Sequence, residues 1–468
     1  MRHHRRLATA LAMTSQLKRA LSLCGGVSNK PRVVILSENT WRHAASRHSE
    51  RMRNLLLPGL TKPDHPINAG AQRQRNQRRK RDGWTALDPV NPVYNFLIEY
   101  YGLKGAKGPR RLARWSPDPA LLSRVDDSEH DGPEISPEVR SAALKASANL
   151  GGVLLEKAKL DDLGDTLHLR GGVPVPTGTT EDGELYGILY NPAVFYHGQF
   201  GTSIEEQQQR KEGNPHRDEQ LRKTMAPFQW YQSILATTLR SDPVLHCYGL
   251  HEWAMQYHPD GADPPPSSKY QSTLPLRVSR QVINDTVERK GIRCTHVDAL
   301  RFFAPAAGPL NYHGATLERT DQLRLEQKGC VHAHMDLLKI GLKLGSFVNP
   351  DLMCDIIETA LEARRLDVEA SPYDATGYGC DVVAIETSEG RRTYRDRQIA
   401  LMDRAEPVRR RLLSAYDVFL SLAFGEEGRS GYDSNPVGMH REGDYAAPER
   451  FARAEPGGEP WRRNLIER

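Results

Sequence analysis

Residues 329–369, GCVHAHMDLLKIGLKLGSFVNPDLMCDIIETALEARRLDVE, decide the fold class. Apolar side chains recur there at helical spacing, with Val331, Met335, Leu338 and Leu342 on one side. The pattern predicts two helices, Gly329 to Leu344 and Asn349 to Glu369, joined by a short loop containing Gly345 and Ser346. Asn349 is placed to cap the second, and Pro350 sits in its first turn, where a missing N–H costs nothing.

Working outward, the same period continues. Val93, Phe96, Leu97, Tyr100 and Tyr101 form an amphipathic helix after Asn91-Pro92, and Ser136-Pro137-Glu138 opens another, with Ser136 as cap. Arg217 to Arg240 is helical, with Pro227 expected to kink or divide it. Val244 to His258 is a compact apolar run, and Arg392 to Phe424 holds one long helix or two. The stretch 263–268, with three consecutive prolines, reads as a surface loop. Strand signals are few: Cys380 to Thr387 by alternation, and Glu184 to Tyr190 and Leu274 to Val278 more weakly. The expected class is mainly α (α+β), a helical core with a minor β-sheet and disordered termini.

Composition bounds the rest. In 468 residues, 64 basic against 59 acidic give a net charge of +5, with 38% hydrophobic and 26% charged residues, as in a folded globular chain. No apolar run approaches the roughly 18 residues that span a bilayer, so no membrane partner is expected. Six scattered cysteines without a CxxC pair argue against a disulfide framework or zinc ribbon and suit a reducing compartment. The first 37 residues hold seven Lys or Arg and no acid, the build of an organellar transit peptide for mitochondrion or chloroplast. The alternative is a basic arm with no address on a nuclear or cytoplasmic protein. The expected organisation is a leader at 1–37, a basic and partly helical linker at 38–90, one catalytic domain at 91–424 with a loop-rich insertion near 160–215, and a disordered tail at 425–468.

Polar residues inside apolar context mark where chemistry sits, in three blocks. The first is GLHEWAMQYH, with His251 and Glu252 adjacent; burying such a pair requires partners. In the second, CTHVDALRFFAP, His296 and Asp298 share one face of an extended segment or flank a helix start, and Asp298 can pair with Arg301. The third is GCVHAHMDLLK, where His332, Asp336 and Lys339 at i, i+4 and i+7 line one helical stripe. That stripe places an imidazole and a carboxylate close enough to share a metal ion or a hydrogen bond, with Lys339 able to hold a phosphate or neutralise Asp336. Each block taken alone reads more readily as a satisfied structural histidine or ion pair, whereas three such blocks within 90 residues point to a site. Asp367 and Asp374 would extend the constellation by two carboxylates, Asp374 serving otherwise as a solvated cap. Cys330 reads as a small core residue rather than a nucleophile. GxSxG, Walker A, GxGxxG and HExxH sequences do not occur.

The stretches NPVYNFLIEYYGLKGAKGPRRLARWSPD, GLHEWAMQYH, CTHVDALRFFAP, LEQKGCVHAHMDLLK and RRLDVEASPYD resemble the motifs of a plant, algal and bacterial family labelled 3-methyladenine DNA glycosylase-like, in discontinuous blocks from about residue 91 to 420. The resemblance implies hydrolysis of the N-glycosidic bond of alkylated adenine in DNA without a cofactor, the base being flipped into an aromatic pocket. It implies Glu252 or Asp336 as the carboxylate and His332 as its orienting or proton-transfer partner, with His296 and Asp298 in the same centre. Trp253, Phe302, Phe303 and Tyr373 become stacking candidates and Asp374 a further substrate contact. Arg301, Lys339 and the basic run from Lys104 to Arg114 would meet phosphates. Two other classes fit the residues. One is a metal-dependent enzyme on a helical core, with His251, Glu252, His296, His332 and Asp336 as ligands to a divalent ion. The other is an organellar nucleic-acid-binding protein without catalysis, working through its basic segments.

Overall fold

A computed structural model describes residues 33–68, 83–122, 137–147, 151–159, 162–163, 166–169, 172–180, 183–191, 215–262 and 274–424. The chain is mainly α with a small sheet. The leader up to residue 32, Ser136, the basic stretch at 69–82, the proline loop at 263–268, much of the 160–215 insertion and the tail from 425 lie outside the described residues. The expectation is one domain over 91–424; the contacts define two compact units, each made of two stretches.

Unit 1 takes Met1–Ser46 with Trp115–Gly213. It holds β1 (Val33–Leu36), the start of α1 (Glu38–Leu56), α2 (Pro137–Ala146), β2 (Gly152–Leu155), β3 (Val173–Thr180) and β4 (Gly183–Tyr190). The strands lie in the order β1-β2-β4-β3, with β1 parallel to β2 and the other pairs antiparallel. Trp41, Trp115, Val153, Leu155 and Ile188 form one core cluster; Val33, Ala143, Leu154, Val175 and Leu189 form another. Successive strand residues point to opposite faces, so β2 feeds both. β4 confirms the strand read at Glu184 to Tyr190. β1, however, falls inside the stretch read as a leader: Val33 and Val34 are buried and pair with Gly152 and Val153, so the boundary at 37 cuts into the fold.

Unit 2 takes Arg47–Arg114 with Asn214–Arg468 and is helical where described. Its main elements are the rest of α1, then α3 (Pro215–Arg240), α4 (Leu250–Met255), α5 (Arg280–Lys290), α6 (Val331–Leu344), α7 (Pro350–Glu369) and α8 (Ser388–Phe424). α6 and α7 match the expected pair, and Asn349 Oδ1 accepts from the N–H groups of Asp351 and Leu352. A Cβ at Gly341 would stand 3.1 Å from Ile356, which shows how closely the two helices approach there. α6 also packs on α8, and α3 on α8. Leu337, Leu338 and Leu344 are fully buried, each worth about 2 kcal/mol of apolar transfer.

Of the open alternatives, α3 runs undivided through Pro227, and α8 is one helix with Pro407 inside it. Two strand expectations are corrected. Cys380 to Thr387 is not a strand: Val383 and Ile385 are buried while Val382 is 48% exposed, but the segment lacks a partner strand and its Val383 N–H donates to Glu369 O, so its alternation reflects packing against helices. Leu274 to Val278 makes one isolated bridge, Leu276 with Tyr373, and continues as coil. Among the described residues no helix is long and apolar enough to cross a membrane.

Candidate metal and acid-base centre

The three sequence blocks meet in unit 2. α4 brings His251 and Glu252, starting from two successive left-handed residues, Tyr248 (φ 51) and Gly249 (φ 66). Glycine adopts that conformation freely, whereas a tyrosine there carries strain of about 1–3 kcal/mol that the surroundings must hold. The Trp253 indole N–H donates to Ala370 O at 2.8 Å, fastening α4 to the end of α7. His296 stands at the N-terminus of a 3-10 turn, Val297–Phe302, which settles its block as a helix start. α6 presents His332, Asp336 and Lys339, and α7 presents Arg364 and Asp367 three residues apart.

The His332 ring lies 4.2 Å from that of His251 and stacks on that of His296 at 4.8 Å with 11° between planes. Two groups with metal-ligand composition adjoin at this stack: His251, His332 and Asp367, and His296, Asp298 and Asp336, the donor atoms of each lying within 4.8 Å of one another. The stripe on α6 is thus split between them, and the expected sharing of one ion or bond by His332 and Asp336 is replaced by one residue in each group.

In the first group, His251 Nε2 is 2.7 Å from Asp367 Oδ1, a buried contact at ion-pair distance, and neither atom has another partner. His251 is 4% exposed and Asp367 0%. The other oxygen, Asp367 Oδ2, accepts from Arg364 Nη1 at 2.6 Å; the same nitrogen donates to Glu252 Oε1 at 2.8 Å, and Arg364 Nε donates to Pro92 O at 3.1 Å. Glu252 Oε2 is buried without a hydrogen-bond partner. Burial alone would raise the Asp367 carboxyl, but His251 and Arg364 pull it well below the usual range. For Glu252 burial wins over Arg364 and raises it. Burial and the two neighbouring histidines hold His332 well below an ordinary imidazole, hence neutral and able to ligate.

The second group is more open. Lys339 Nζ lies 3.1 Å from Asp298 Oδ2 and 3.6 Å from Asp336 Oδ2, and Arg319 Nη1 lies 3.2 Å from Asp298. Burial would raise Asp298, yet Lys339 and Arg319 hold it down at about 2. Asp336 is raised, since burial outweighs His296 and Lys339. His296 Nδ1 faces Glu326 Oε2 at 3.7 Å, beyond hydrogen-bond distance, and its pKa is raised by that carboxylate against the effect of burial.

Other expected site residues fall elsewhere. Asp298 pairs with Lys339 and Arg319, while Arg301 lies over the Phe302 ring at 4.7 Å, so the anticipated Asp298–Arg301 pair does not form. Phe302 meets the exposed Tyr100 edge-on at 6.1 Å. Trp253, Phe303 and Tyr373 are packed in the core, and the Tyr373 hydroxyl accepts from Gln256. Asp374 caps Thr376 through its backbone and side chain. Cys330 is buried with its thiol pushed well up by burial, the state of a core residue. Sequence reasoning missed Glu326 and the part of Arg364. The Arg364–Asp367 spacing of i, i+3 was a usable signal, but Glu326 lies just past the short helix Gln322–Leu325, where no periodicity singles it out.

Compared with protein-family models, curated proteins and solved structures, the chain matches none.

Proposed function

We propose that the protein is a metal-dependent hydrolase whose divalent ion is held by His251, His332 and Asp367. One observation carries this: donor atoms from three separate helices converge within 4.8 Å, and two of them, His251 Nε2 and Asp367 Oδ1, are buried, face each other at 2.7 Å and have no other partner. Two imidazoles and a carboxylate gathered out of water are held together more strongly by a divalent cation than by a single imidazole–carboxylate contact. Two imidazoles and one carboxylate suit zinc or ferrous iron and leave coordination positions open for water and substrate. Such an ion lowers the pKa of bound water and polarises the bond attacked. Arg364 fixes the far oxygen of Asp367, the role that outer hydrogen bonds play around metal ligands. Glu252, held by the same guanidinium with Oε2 unpartnered, is the proton acceptor in this reading.

A second reading, excision of alkylated adenine from DNA, is supported by the motif blocks, since residues of four of them surround this centre. Its stacking surface would be Phe302 with Tyr100, because Trp253, Phe303 and Tyr373 are packed away. Elemental analysis of the purified chain, with 3-methyladenine release from alkylated DNA assayed with and without chelator, tests both. A stoichiometric ion lost in Asp367→Asn and hydrolysis abolished by chelator are expected. A chain that takes up no zinc, iron or manganese overturns the metal reading, and chelator-resistant base release replaces it with the second.

A further inference from the structure

We infer that a second divalent cation binds at His296, Asp298 and Asp336, displacing the Lys339 ammonium and lying beside the first across the His332–His296 ring stack. This deepens the reading of His251, His332 and Asp367 as a metal centre and rests on it. Four observations carry it. The donor atoms of His296, Asp298 and Asp336 lie within 4.8 Å of one another and come from two elements, the 3-10 turn and α6. His296 is 4% exposed, with one ring nitrogen, Nδ1, turned to the Glu326 carboxylate. Glu326, anchored by Gln322 Nε2 at 3.1 Å, faces that ring nitrogen at 3.7 Å. This is the carboxylate-behind-histidine arrangement that orients a ligating imidazole and raises its basicity once the ring settles against the carboxylate. Finally, one ring from each donor set, His332 and His296, stacks on the other at 4.8 Å and 11°, so the two sets adjoin.

Lys339 is a weak occupant. Its ammonium spans Asp298 and Asp336 at 3.1 and 3.6 Å, longer than the roughly 2.7–2.9 Å of a charge-assisted hydrogen bond. The Lys339 side chain is 30% exposed, so it reaches solvent by turning on its own stem. A divalent ion gains more from two carboxylates than a single positive charge does. Arg319, on the open side of Asp298, stays as the remaining counter-charge. Two carboxylates and one imidazole make this donor set harder than the first, so manganese fits it better than zinc does. Paired ions clamp both the attacking and the leaving oxygen of an in-line displacement, so two adjoining ions would suit a phosphoester or similarly anionic substrate.

The experiment is manganese and zinc titration into the metal-free full-length chain, with bound ion counted by equilibrium dialysis and elemental analysis and manganese pairs read by electron paramagnetic resonance. The wild type should take up two equivalents, with a spin-coupled manganese signal. Asp298→Asn and Asp367→Asn should each take up one, and neither should show coupling. Lys339→Met should bind the second ion about tenfold or more tightly, because its competitor is gone. Circular dichroism confirms that each variant is folded, and His296→Gln serves as the second test of the same site if Asp298→Asn is not. One equivalent in the wild type, unchanged in Asp298→Asn and lost in Asp367→Asn, overturns this inference and leaves the single-ion centre standing. No bound ion in any form overturns both. A second ion of unchanged affinity in Lys339→Met also overturns it.

Discussion

His48 and His251 are buried to the same degree, each 4% exposed, and both belong to unit 2, but their surroundings differ in kind. His48 Nε2 donates to Leu112 O at 2.9 Å, and its Nδ1 lies 3.5 Å from Cys354 Sγ, whose thiol burial pushes up to about 12 so that it keeps its proton to donate. Both ring nitrogens are satisfied and the ring is neutral, its pKa lowered by burial. His251 Nε2 instead stands 2.7 Å from a carboxylate oxygen, in a group of three donors of metal-ligand composition. Burial therefore does not separate a structural histidine from a functional one. The separating feature is the company of the ring: a carbonyl and a thiol for His48, a carboxylate and a second imidazole for His251.

The largest effect that tests this contrast is loss of a donor. His251→Ala and Asp367→Asn should each lower metal affinity and turnover by more than about 100-fold, since outer-shell changes alone cost 10–100-fold. His48→Ala should leave both unchanged. Metal titration with a chelator-sensitive assay measures this, and equal losses in all three variants would erase the distinction.

Next in size is Arg364→Met, which frees Asp367 Oδ2 and Glu252 Oε1 while preserving bulk. It should weaken metal binding about 10–100-fold without removing a ligand. Unchanged affinity would mean that Asp367 needs no support. The stability counterpart is His48→Ala, expected to cost about 2 kcal/mol in denaturant unfolding by stranding Leu112 O and opening a cavity. His251→Ala in the metal-free chain should cost at least as much, because it takes the 2.7 Å partner from the buried Asp367 carboxylate.

The smallest effect is in pH. A buried base whose folded pKa lies below the unfolded 6.5 binds fewer protons folded than unfolded, so its stabilising effect is full above that value and falls as pH drops below it. The slope from His48 is at most about 1.4 kcal/mol per pH unit. Thermal unfolding of the metal-free chain between pH 7.5 and 5.5 should flatten in His48→Gln; an identical slope would assign the acid sensitivity to other groups.

The helical half of the structure was legible because α6 and α7 combine an apolar stripe with a cap and proline at the right place. The sheet was mostly hidden. β2 is four buried residues, too short for periodicity to distinguish, and β1 follows an acid-free basic stretch whose composition masks it. Cys380 to Thr387 misled because period two reports alternating burial, which an extended coil along helices also shows. The centre was legible as residue types, since His and carboxylates inside apolar blocks are expensive to bury unpaired. Its division into two groups was not, because which donors converge depends on the crossing of α4, α6 and α7, which local sequence leaves unspecified.

The discontinuous make-up of the two units has a consequence for synthesis. β1 takes its parallel partner only when Gly152–Leu155 has emerged, and residues 47–114 belong with chain that begins at 214. At about 5–20 residues per second, the ribosome leaves the Val33–Leu36 edge waiting on the order of ten seconds. Throughout that interval the nascent polypeptide carries two unfinished cores, each with apolar surface on show, which is the condition under which chaperone capture competes with folding. A fragment released after Gly213 would complete one of them and strand the other.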